Sequence, residues 1–192
     1  HWRMNARSLD AESLRDAMLS VSGKIDFYPP EGSPVCRAGE GREGLFRIAQ
    51  LAQQPNYTRS VYLPIVRDQV PEVLSLFDFA NPGLVTGDRD NTNVPSQSLY
   101  LLNNPQVQAL SDAFARRVYA SSEDQNTRIN NAFVLAYGRP ATDREQQATR
   151  GFFSNYAIAA DKPGQNGADI SVHAWSAFCQ ALMASAEFRY LN

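Results

Sequence analysis

Carboxylates and guanidinium groups gather in one stretch of this sequence. Asp68, Asp78, Asp88 and Asp90 follow one another there, beside Arg67 and Arg89. Two such carboxylates facing each other could act as acid and base on a glycosidic bond. The competing expectation is that they cap turns and helix ends and pair with the arginines, because Asp is common in turns. The polar loop from Gly87 to Asn93, together with Gln97, adds many amide and hydroxyl groups. These could hydrogen-bond a sugar or a peptide. They could equally form an internal network, since buried backbone outside regular elements must find partners; that is the expectation adopted. An arginine in such a segment clamps carbonyls or a carboxylate. The candidate binding or network residues are therefore Arg67, Asp78, Asp88, Arg89, Thr92, Gln97 and Asn103, and no residue is assigned a catalytic role.

Other chemistry finds little support. The chain has two histidines, and His173 has Ala177 at i+4, so no metal site is expected. A nucleophile paired with His173 would have to be Cys36 or Cys179, and Cys179 follows six residues later, on the opposite side of a helix. G-x-S-x-G, G-x-G-x-x-G, P-loop, C-x-x-C and C-x-x-C-H patterns are all missing, so no cofactor is expected. Cys36 reads as a loop thiol and Cys179 as a buried one; a disulfide between them would need an oxidising compartment. A net charge of −2 gives no field for nucleic acid or anionic membrane. Basic and aromatic residues are not interleaved as in single-strand binders, so nucleic acid is not expected as a partner. The longest apolar runs, such as Ala132 to Tyr137, are too short to span a bilayer. Asn56-Tyr57-Thr58 fits the N-glycosylation sequon, a pattern common by chance.

The elements that must position these groups read as helices. Asp10 should cap a helix from Ala11 to Ser22, with Leu14, Met18 and Leu19 inward. A Gly/Pro-rich loop follows, then a short helix from Leu45 to Gln53 with Leu45, Ile48 and Leu51 inward. Val61 to Val66 reads as a short strand interrupted by Pro64, which makes it an edge strand or merely an extended segment. Pro71 opens a helix to about Phe77, and Pro82-Gly83 marks a turn. Helices follow from Pro95 to Asn103 and from Pro105 to Tyr119, separate or as one kinked rod, with Val107, Leu110, Phe114 and Val118 inward and Arg116-Arg117 on a solvated face. Asp124 caps Gln125 to Tyr137, and Gly138 ends that helix. Thr142-Asp-Arg-Glu145 is a capping box before a helix carrying Phe152, Phe153 and Tyr156 inward. Lys162 to Gly167 reads as a loop. A last helix should run from about Ser171 to Tyr190 over Trp175, Phe178, Leu182, Met183 and Phe188.

The fold class expected is mainly α: a compact multi-helix bundle with long irregular loops and at most a short β-strand pair. The 192 residues suit a single α-helical domain with three parts. Residues 1–58 give the N-terminal helix and Gly/Pro-rich loop, 59–107 the central segment, and 108–192 the C-terminal helices. The opening His-Trp-Arg-Met-Asn has no apolar leader core, and the chain reads as a fragment of a larger protein.

Three sets of residues resemble the DUF1553 (PSD1) domain of planctomycete-type multidomain proteins. The first is Trp2-Arg3-Met4-Asn5 with Leu9-Asp10-Ala11-Glu12 and Leu14-Arg15-Asp16. The second is Arg59-Ser60-Val61-Tyr62-Leu63-Pro64 with Phe77-Asp78, Thr92, Val94-Pro95, Gln97 and Leu101-Leu102-Asn103. The third is Ala136-Tyr137-Gly138-Arg139-Pro140 with the ending from Trp175 to Leu191. The resemblance implies the C-terminal region of a long protein that also carries a DUF1549-like domain and often a cytochrome c-like domain. It implies an extracytoplasmic location, periplasmic or at the cell surface, and supplies no catalytic residues. Family members tend to carry Arg-Arg before the Thr, where this chain has Asp88-Arg89-Asp90, so a two-cation requirement there is not met. The expected role is a non-catalytic assembly or ligand-binding module, with the other domains of the same polypeptide, or carbohydrate, as partners. Two rivals are a polysaccharide-active enzyme using the central carboxylates and a docking module for a cytochrome-like redox domain.

Overall fold

The structure is a computed structural model and describes residues 7–39, 41–67, 69–160 and 167–191. Among these residues there are nine α-helices and a single two-stranded antiparallel sheet. The order is β1 (Arg7–Ser8), α1 (Ala11–Val21), α2 (Gly41–Gln53), α3 (Glu72–Leu76), α4 (Pro95–Asn103), α5 (Pro105–Tyr119), α6 (Gln125–Tyr137), α7 (Asp143–Ala160), α8 (Gly167–Ala184), α9 (Ala186–Arg189) and β2 (Tyr190–Leu191). The strand pair falls within the expected fold class, but it joins the two ends of the described chain rather than its middle. Arg7 faces Leu191 and Ser8 faces Tyr190.

The caps work as the sequence suggests. Asp10 accepts the Ser13 N–H at 2.8 Å and starts α1. Asn104 stands extended between α4 and α5, so the two are separate helices, and its Oδ1 accepts the Gln106 N–H at 2.8 Å. Gly138 ends α6 at φ 71, a left-handed conformation that suits glycine. The long α5–α8 contact is the spine of the molecule; α6 packs on both helices, α7 on α8, and α1 on α5 with α3 against α1. Phe114, Leu14, Leu19, Leu74, Leu101, Ile129 and Met183 are fully buried along it.

Several expectations are corrected. No strand forms over Val61–Val66. Ser60–Tyr62 is a single 3-10 turn, because Asp16 Oδ1 on α1 accepts both the Ser60 N–H and its hydroxyl, each at 2.7 Å. α2 starts earlier than expected, and Leu45 is 55% exposed, while Ile48, Ala49 and Leu51 of this helix are partly buried. Phe152 is likewise 37% exposed, leaving Phe153 to stack on Trp175. The last helix breaks at Ser185, whose hydroxyl caps α9 through the Phe188 N–H. Arg117 is more than a solvated residue. Its Nη1 donates to the Ser20 and Val21 carbonyls at 2.8 and 3.0 Å and closes the C-terminus of α1. Both cysteines are free, Cys36 exposed and Cys179 buried, and burial pushes the Cys179 thiol far up from its ordinary value. Trp2 to Asn5, Asp68 and most of the Lys162–Gly167 loop lie outside the described residues.

The α7 capping box carries an additional clamp. Glu145 accepts the Thr142 N–H and hydroxyl at 2.7 Å each. Arg139 then holds Glu145 and Glu187 together, with bonds of 2.7–2.9 Å to each carboxylate, tying the α6–α7 turn to α9. The Arg139 hydrogen bonds hold the Glu145 carboxyl down at about 2, against a smaller opposing effect of desolvation. A carboxyl depressed in the folded state stabilises the fold above its unfolded value, near 4.3, and that stabilisation disappears as pH falls toward 2. The Tm gap between the native protein and Glu145→Gln should therefore be widest above about pH 5 and close between roughly pH 4.5 and 2. Thermal melts across that range check this; a gap that stays constant with pH would refute it.

Candidate functional site

A polar cleft of about 460 Å³ opens where β1, β2 and the start of α1 meet the 88–92 loop. Five of the seven candidate residues line it: Asp78, Asp88, Arg89, Thr92 and Gln97. Arg67 and Asn103 do not. Arg67 is exposed beside Gly83, and Asn103 donates back to the Leu99 carbonyl within its own helix at 3.0 Å.

Asp78 is held in place by its backbone. α3 ends in a Schellman-type closure, with the Phe79 N–H on the Leu74 carbonyl at 3.0 Å. The residue between must be left-handed, and Asp78 takes φ 61, a conformation that disfavours most side chains. Its carboxylate explains the choice. Oδ2 accepts the Thr92 N–H at 2.7 Å, and the Thr92 hydroxyl donates to the same group at 2.9 Å. Gln97, only 3% exposed, then donates its Nε2 hydrogens to Thr92 Oγ1 at 3.2 Å and to the Leu76 carbonyl at 3.1 Å. The chain Gln97–Thr92–Asp78 fastens the irregular loop between α3 and α4 at both of its ends.

Asp88 and Arg89 of the loop are also engaged. Arg89 grips Glu12 on α1 with two bonds of 2.7 and 3.0 Å, and its guanidinium lies 5.2 Å from the centre of the Phe79 ring. These Glu12 hydrogen bonds hold Arg89 above its ordinary value. Asp88 Oδ1 accepts the Arg89 N–H at 3.0 Å. Asn91 Oδ1 accepts the Ser8 hydroxyl at 2.8 Å, joining the loop to β1. Burial alone would raise the Asp10 carboxyl, but the Ser13 hydrogen bonds, with Arg89 and Arg7 nearby, keep it below its usual range. On the far wall Arg189 shows a different state: its Nε is buried and has no hydrogen-bond partner among the described residues. Among the described residues no group of three or more metal-binding side chains comes together.

Sequence reasoning did not assign a site role to the polar residues of α1. Arg15, 5% exposed, donates to the carbonyls of Asn56 and Thr58 at 2.5 and 2.8 Å and to Ser60 Oγ at 3.1 Å. With Asp16 beside it, α1 seizes the whole Asn56–Ser60 turn. The available signal was position: Arg15 is a charge four residues after Ala11 and four before Leu19, on the apolar stripe. Within the Asn56-Tyr57-Thr58 sequon, Asn56 Oδ1 accepts the Thr58 N–H and hydroxyl at 2.8 and 2.6 Å.

Residues 1–153 match the model of a family described as a protein of unknown function, DUF1553, or PSD1. The chain belongs to this family. No curated protein matches it, and no solved structure does. In this DUF1553 chain the matched region holds Asp78, Thr92, Gln97, Arg89 and Glu12, whereas Arg189 and Tyr190, which close the cleft, follow after it. No helix among the described residues is long and apolar enough to cross a membrane.

Proposed function

We propose that this DUF1553 chain is a non-catalytic assembly module of an exported, multidomain protein, acting outside the cytoplasm, and that the polar cleft receives a loop of a neighbouring domain. The observation that carries the proposal is an asymmetry in how the cleft is engaged. On one wall three of the groups that could do acid–base work are already committed, Asp78 to Thr92, Arg89 to Glu12 and Asp88 to a backbone N–H, while Asp90 of the same loop also lines the cleft. On the other wall a buried arginine nitrogen has no acceptor among the described residues. A buried donor left unpaired is costly, and a backbone carbonyl or a hydroxyl oxygen from a partner would satisfy it. The partner is a DUF1549-like or cytochrome c-like domain of the same polypeptide, as the family resemblance implies.

Calorimetric titration of the purified chain with the DUF1549-like domain supplied separately tests this. Saturable binding is expected, weakened about tenfold by Arg189→Ala. No association, or association indifferent to Arg189, would refute the proposal. Hydrolysis of a polysaccharide that disappears in Asp78→Asn would replace it with catalysis.

A further inference from the structure

A second and larger cavity, of about 950 Å³, lies between α3, the start of α5, the end of α2 and the segments around Asn56 and Gln69, with Arg15 of α1 in its wall. Its size is that of a drug-sized ligand site. Pro34, Pro55, Pro64, Pro71 and Pro105 stand in its wall. Proline brings rigid apolar surface and no N–H, so these positions offer a ligand contact area but no donor. Of the charged groups here, Arg15 and Glu72 are already occupied, and Lys24 is exposed. Arg15 is spent on the Asn56, Thr58 and Ser60 oxygens, and Glu72 takes the Asn104 amide at 3.4 Å. Burial, with the Glu72 carboxylate adding to it, pushes the Tyr100 hydroxyl up to about 12, so this hydroxyl stays neutral. One group is left over. Gln69 lines the cavity, and its Oε1 is buried without a hydrogen-bond partner among the described residues. A buried carbonyl oxygen without a donor is rare in folded proteins and marks a place where a donor belongs.

We infer that this cavity binds an uncharged, mainly apolar molecule whose single N–H or O–H donates to Gln69 Oε1. The apolar body lies against the proline wall and Tyr100, and the donor end reaches Gln69. The site is independent of the polar cleft and does not rest on the assembly role.

N-phenyl-1-naphthylamine is a suitable probe for the purified chain: it is uncharged, carries one N–H, and brightens when it leaves water. Its N-methyl derivative has the same body without the donor. The protein should give saturable fluorescence with the amine and bind the N-methyl derivative about tenfold more weakly. Gln69→Leu should remove that difference between the two probes. Ala109→Trp places an indole from the exposed face of α5 into the cavity and should abolish binding of both. Circular dichroism confirms that each variant folds. No saturable binding, equal binding of the two probes by the native chain, or unchanged binding in Ala109→Trp would each overturn the inference.

Discussion

Replacing Arg15 by Met should cost about 3 kcal/mol of stability, the largest effect expected from any single polar residue here. Met matches the length and apolar stem of Arg, so the α1 packing survives and only the guanidinium is lost. Three oxygens, on Asn56, Thr58 and Ser60, then lose their donors at once. Asp16, 3.7 Å from Arg15, keeps the Ser60 N–H but loses its nearest buried cation. At this chain length about 3 kcal/mol lowers Tm by roughly 6–12 °C. Arg15→Lys should recover less than half, because one ammonium cannot span acceptors that the planar fork reaches together. Denaturant melts measure both, and limited proteolysis should show new cleavage near Asn56–Ser60. A loss below 1 kcal/mol in Arg15→Met would mean that the turn is held by something other than α1.

Asp78 gives the second large effect, and its variants separate two causes. Asp78→Ala loses the bonds to Thr92 and leaves a Cβ in a left-handed backbone, for a total of about 2 kcal/mol. Asp78→Gly loses the same bonds but suits the backbone, so it should be less damaging by roughly 1 kcal/mol. Asp78→Asn tolerates the conformation and can still accept the Thr92 N–H, so it should be the mildest of the three. Equilibrium unfolding ranks them. Equal losses in the Ala and Gly variants would show that the conformation at this position carries no strain.

These two residues also show what could be read from the letters alone. Asp78, Thr92 and Gln97 were candidates because polar groups in a segment without periodicity must find partners nearby, and the structure joins them. Arg67 and Asn103 were candidates on the same grounds, yet one lies outside the cleft and the other bonds within its helix; proximity along the chain says nothing about which way a side chain points. Helix starts were legible wherever a cap does local work, as at Asp10, Asn104, Asp124 and Thr142. The strand expected at Val61–Val66 was overridden by tertiary bonds from Asp16, which no local pattern announces. The cleft's far wall was illegible for the same reason. Arg7 and Arg189 are separated by almost the whole chain and meet only because β1 pairs with β2.

That pairing has a mechanical side. Residues 7 and 191 sit next to each other at one edge of the ladder, with the strands running in opposite directions. A force separating these two points meets the ladder as a zip, loading its bonds in turn rather than together. The first event under tension would be the peeling of Arg7–Ser8 from Tyr190–Leu191, which opens the polar cleft while the α5–α8 spine is still intact.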